Sequence, residues 1–153
     1  MDGTRDIPDS LYERDGWAWA RAQARALRTR DLDAIDWDNV IEEIEAVGRA
    51  ERSAVSSAIG VILEHLLKIQ HGLRSEPKAG WARTIRTQRR KLAKVLRKNP
   101  SLAPEVGRLI ADEYADARAD ALDSFEEHEE ASIAHYRDAL PRDCPYSETD
   151  VLG

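Results

Sequence analysis

The chain has 153 residues, 42% of them hydrophobic and 34% charged, and a formal net charge of −6. That length suffices for one ordinary domain with a real core. A single cysteine, Cys144, excludes an internal disulfide framework and the thiolate cluster usual in a structural zinc site. No apolar run approaches the roughly 20 residues that span a bilayer. The opening "MDGTRDIPDS" carries acids where a leader peptide needs an apolar stretch. These features predict a cytoplasmic protein of bacterial type without a membrane partner.

Helical periodicity runs through the sequence, and no alternating run is long enough to mark a strand. The first helix is expected over about 9–30, starting at Asp9 or Ser10. Trp17, Ala20, Ala24 and Leu27 define its apolar face, with Tyr12 and Trp19 beside them. "TRDLDAID" reads as a connection, with Asp36 or Asp38 capping the next helix. That second helix, about 38–70, passes Gly48 and Gly60 without a proline. From Ile59 to Ile69 it is apolar on most sides, which makes it the central element.

"HGLRSEPKAG" has the composition of a loop. The third helix, about 80–98, stops at "NPSLAP", because Asn99 before Pro100 resists helical geometry and Ser101 is placed to cap the next helix. The fourth helix, about 102–124, is lined by Val106, Leu109, Ile110, Tyr114, Ala117 and Ala121. A fifth covers about 126–140, and "PRDCPYSETDVLG" (141–153) forms a turn-rich strap. The expected fold is all-α, a single-domain bundle of four to five helices with a short C-terminal strap.

Charged groups interrupt the apolar lines. With Ile44 at the centre of the second helix's inner face, Glu51 falls about 20° from centre and His65 about 60° away. On the third helix, Trp81, Ile85, Leu92, Val95 and Leu96 define the inner arc. Arg89 lies within that arc, about 40° from Ile85, with Gln88 opposite. On the fourth, Glu113 lies about 20° from Val106. The simplest reading is a buried structural cluster of Glu51, Arg89, Gln88, Glu113 and His65, since a guanidinium satisfies two carboxylates at once. A carboxylate-bridged metal site needs Glu-x-x-His pairs that the sequence lacks. Glu51 and His65 are roughly 21 Å apart along one helix, too far to share an ion. Catalysis by either group has no phosphate loop, nucleophile elbow or Ser-x-x-Lys arrangement beside it. No catalytic residue, metal ligand or cofactor is assigned.

Charge is also segregated along the chain. Residues 1–70 hold 9 basic and 14 acidic side chains, 71–100 hold 10 and 1, and 101–153 hold 4 and 14. The third helix concentrates the positive charge, and Arg83, Arg86, Arg90, Lys94 and Arg97 form a stripe on one face. Unpaired, such a stripe contacts successive phosphates. Covered by Glu42, Glu43 and Glu45 or by the acidic segment 123–130, it is part of the fold instead.

The segments "YERDGWAWARAQARALR", "DWDNVIEEIEAVGRAERSAV", "LEHLLKIQ", "WARTIRTQRRKLAKVLRKNPSL" and "CPYSETDVL" together resemble the bacterial family of unknown function numbered twenty-nine. The resemblance runs from about Leu11 to Leu152 and rests on the order and spacing of the segments. It implies an all-helical, single-domain protein and brings no established activity. "DSFEEHEEASIAHYRDAL" is more acidic and more helical than the family's usual link before its "CPY" segment. The functional expectation is a non-catalytic binding or accessory protein acting through protein contacts, self-association included. Nucleic-acid binding through helix 81–98 is the alternative, and a metal-dependent enzyme a distant third.

Overall fold

The computed structural model describes residues 10–75, 77–128 and 132–153, and among them every regular element is helical. The helices are α1 (Leu11–Arg14), α2 (Gly16–Thr29), α3 (Trp37–His71), α4 (Lys78–Lys98), α5 (Val106–His128), α6 (Ile133–Ala139) and α7 (Glu148–Leu152). Short 3-10 segments cover Leu32–Ala34 and Pro100–Glu105. The all-α fold expected from the periodicity is therefore the fold observed. Contacts within the chain divide it into two compact units, with the boundary between Arg49 and Ala50.

In the first unit the expected first helix is broken at Asp15. This residue leaves helical geometry (φ −153°, ψ 84°), and its carboxylate accepts the Ala18 amide at 2.9 Å, capping α2. Arg30 ends α2 in the left-handed region (φ 57°), where its amide reaches the Ala26 and Leu27 carbonyls. Asp36 stands immediately before α3, as expected of its cap. It accepts the Trp19 indole N–H at 3.0 Å and the Asn39 side-chain amide at 2.8 Å. These bonds hold its carboxyl below the usual range, with Asn39 the leading cause. The core here is small, comprising Trp19, Ala26, Ile35 and Val40, with Tyr12 packed edge-on against Trp19.

The second unit is built around the rest of α3, whose Val55, Ile59, Ile62, Leu63 and Leu67 are fully buried. Ile85 and Leu92 of α4 and a row from Val106 to Phe125 on α5 close over them. α3 is followed by Gly72, where a Cβ would lie 2.6 Å from the Lys68 carbonyl and 3.2 Å from the Trp81 ring, so the chain passes closely there. Past Asn99 the chain turns through the 3-10 segment, so α5 begins at Val106 rather than Leu102 and extends to His128. Ser101 therefore sits inside that segment and caps nothing. Residues 129–131, within the expected fifth helix, lie outside the described residues, and α6 begins afresh at a Ser132 cap.

α6 and the strap are held by α5. Arg118 donates to the carbonyls of Arg137 (2.9 Å), Leu140 (3.3 Å) and Pro141 (3.0 Å), and the Tyr114 hydroxyl donates to Pro141 at 2.7 Å. Tyr136 stacks on Phe125 beneath them. The strap then forms α7, started by a reciprocal Ser147–Asp150 capping box where the turn-rich composition predicts irregular chain.

Since charged donors to carbonyls contribute more than neutral ones, Arg118→Met should lower unfolding free energy by about 2 kcal/mol. Arg118→Lys should recover less than half of that, because a lysine lacks the fork that spans three carbonyls. Denaturant titration checks both, and a variant as stable as the parent contradicts the role given to this side chain.

Candidate functional site

Two surfaces stand out for what they leave uncovered. The first lies in the first unit. The face of α2 expected to pack inward points outward, with Trp17 74% and Leu27 48% exposed. The buried face is instead Trp19 and Ala26, anchored by Gln23, which meets the Ala34 carbonyl and the Asp36 amide. Polar bonds to the turn, absent from a purely apolar count, decide which face docks. The start of α3 behaves alike. Ile44, the assumed centre of the inner face, is 67% exposed, and Val47 is 64% exposed. The small core of the unit reaches Val40 and stops.

The second surface is α4. Ile85 and Leu92 are buried, while Arg83, Arg86, Arg90, Lys94 and Arg97 all keep contact with solvent. Among the described residues none of these five has a carboxylate at ion-pair distance; Arg90 donates to the Thr87 hydroxyl at 3.3 Å. Three of the acids suggested as their cover, Glu42, Glu43 and Glu45, are engaged elsewhere. Glu42 and Glu45 meet Arg49 at 2.6 and 3.6 Å, and Glu43 accepts the Tyr12 hydroxyl at 2.6 Å. Of the segment 123–130, residues 129 and 130 lie outside the described residues, as does Glu76, the one acid of 71–100.

The inward charges do not form the expected cluster. Arg89 donates to the carbonyls of Asp150 (2.7 Å) and Val151 (3.1 Å), at the C-terminal end of α7, where backbone dipoles leave partial negative charge. Glu51 accepts Lys98 at 2.5 Å and the Asn99 side chain at 3.2 Å, and Lys98 beside it holds its carboxyl below the usual range. Lys98 lies nine residues beyond Arg89, about 14 Å along α4. Glu51 therefore faces the far end of that helix, away from the arginine. Glu113 accepts the Ser56 hydroxyl and lies beside Gly60. Gln88 and Glu51 do line one shallow groove of about 560 Å³ between α3 and α4, with Lys91, Lys94 and Lys98 on its rim.

His65 is half-buried, its Nδ1–H donating to the Val61 carbonyl at 2.9 Å. Desolvation pulls its pKa below the ordinary value, and does the same to His71, whose buried Nε2 has no hydrogen-bond partner among the described residues. A second cleft, of about 490 Å³, is lined by Lys68, Trp81, Phe125 and His128. The Lys68 charge is already taken by Glu64 at 3.0 Å and by the Trp81 ring, 5.0 Å from its ammonium. Among the described residues no group of three or more His, Cys, Asp or Glu is placed to hold a metal ion. Nor, among them, is any helix long and apolar enough to cross a membrane.

A family model described as a domain of unknown function, DUF29, matches residues 11–153. The chain belongs to the DUF29 family. Neither the curated proteins nor the solved structures contain a match to it. Membership fits the resemblance carried by the sequence segments and assigns no reaction or ligand to this DUF29 protein.

Two outcomes test the site chemistry. His65 and His71 have folded-state pKa values below the ordinary 6.5. Their contribution to stability is complete above that value and is lost as pH falls through the depressed ones. Stability should therefore decline below about pH 6.5. His71→Leu should flatten the decline, and an unchanged slope between pH 5 and 7 would contradict burial of this imidazole. Arg89→Met should free the tail, raising cleavage near Ser147 by an added protease, whereas Glu51→Gln should leave it protected.

Proposed function

We propose that this protein is a non-catalytic binding or accessory protein acting through protein–protein contacts made by its first unit. The observation that carries the reading is the distribution of exposed apolar side chains. Of the ten large hydrophobic residues exposed among the described ones, eight precede Arg49, Trp17, Leu27, Trp37, Ile41, Ile44 and Val47 among them. The remaining two, Leu73 and Leu152, are spread over the rest of the chain. Large apolar side chains left open along α2 and along the start of α3 support interaction surfaces on this unit. A cytoplasmic setting belongs to the same proposal and suits the free thiol of Cys144.

A photo-reactive residue at position 47 tests the reading in cells. It should trap a defined protein adduct that Ile44→Glu abolishes. The same adducts with and without that substitution would refute it.

The open stripe on α4 favours a second reading, binding of a nucleic acid through phosphate contacts. Five neutralised phosphates imply a slope of log K against log salt of about −4.5 on duplex DNA. Reversing Arg83, Arg86, Arg90 and Arg97 together should abolish a low-salt mobility shift with RNA or duplex DNA. No shift by the parent chain at low salt eliminates this reading.

A further inference from the structure

The two open faces of the first unit are complementary to each other. On α2 the open line is Trp17, Ala20 and Leu27 with the half-buried Ala24 between them, and on α3 it is Trp37, Ile41, Ile44, Val47. Each spans ten residue steps, about 15 Å of helix. Laid antiparallel, Trp17 meets Val47, Ala20 meets Ile44, Ala24 meets Ile41 and Leu27 meets Trp37. The small side chains of one line thus fall opposite the large ones of the other, the condition for close helix packing.

The charges obey the same geometry. α2 carries Arg21, Arg25 and Arg28 and no acid. At 100° per residue these arginines flank one side of its apolar line, at about 20–80° from Trp17. On α3, Asp38, Glu42 and Glu45 flank the corresponding side, at about 80–140° from Trp37. Both flanks lie in the same rotational sense. Parallel helices would place them on opposite sides of the contact, whereas antiparallel helices bring arginines alongside carboxylates. Arg49 shares Glu42 and Glu45 within its own chain, and their exposed carboxylates keep free oxygens for a second cation.

One chain does not make this contact with itself. α2 is held against the start of α3 by its opposite face, through Trp19 to Asp36 and Gln23 to Ala34 and Asp36, so its apolar line points away. We propose that the occupant is a second copy of this chain, with α2 of each copy packed antiparallel on the first half of α3 of the other. A twofold axis makes the contact twice, which closes the assembly as a dimer. This inference rests on the reading of the first unit as a protein-contact surface and names its partner.

Sedimentation velocity of the full chain over a concentration series provides the test. The parent protein should pass from monomer to dimer, with association weakened by salt because charged flanks contribute. Ile44→Glu and Trp17→Ser alter side chains already open in the single chain, so each should keep the helical circular dichroism signal and raise the dimer Kd more than about tenfold. Arg21→Glu with Arg25→Glu should weaken the dimer likewise, and adding Glu42→Arg with Glu45→Arg should restore it. A monomer at every concentration overturns the proposal while leaving the trapping experiment at position 47 to decide the broader reading. A dimer indifferent to Ile44→Glu and Trp17→Ser overturns it as well.

Discussion

One helix of 35 residues carries three-and-four apolar spacing on either side of Glu51, yet only part of it has anything to bury against. From Val55 to Leu67 the spacing meets α4 and α5, and the side chains there are inaccessible to water. Before Arg49 the cover among the described residues is the short α1–α2 arm, whose core reaches Val40. Burying a large aliphatic side chain contributes about 1.5–3 kcal/mol. Ile41, Ile44 and Val47 leave most of that gain unrealised in the single chain. The propensity and length of α3 keep this half helical without it, and the result is a preformed apolar edge with acids along one side.

The second unit closes by a different device. Its core includes Tyr136 of α6 and Val151 of α7, two helices too short to be stable alone. Each is fixed by an arginine from a long helix that binds the carbonyls at or just beyond its C-terminal end, Arg118 for α6 and Arg89 for α7. This arrangement explains an inward-turning arginine without Glu51 or Glu113 as its partner. The guanidinium meets the negative end of a helix dipole and satisfies carbonyls that would otherwise be stranded. Tyr136, Leu140 and Val151 are buried as a consequence.

Much of this is legible in the sequence. Periodicity gives an all-helical chain, the Asn99–Pro100 pair ends α4 where expected, and the named lining of α5 is buried from Val106 to Ala121. The expectation that fails is that an apolar line is a buried line. For α2 and the start of α3 the line faces water, because Trp19, Gln23 and Asp36 lock the opposite face through polar bonds that a count of apolar spacing ignores. The carboxylate partners expected for Arg89 fail for a related reason: backbone carbonyls carry no letter in a sequence. The break at Asp15 and the helix after Ser147 do carry signals, an aspartate before "GWA" and a Ser-x-x-Asp box before Val151.

The central claim is that the first half of α3 is an apolar edge awaiting a contact, while its second half is permanently covered. Amide hydrogen exchange of the intact protein, followed peptide by peptide at low and high protein concentration, reads this directly. Peptides within 41–47 should exchange quickly when dilute and gain protection when concentrated, and peptides within 55–67 should be protected throughout. Equal, concentration-independent protection along the whole helix would contradict the account.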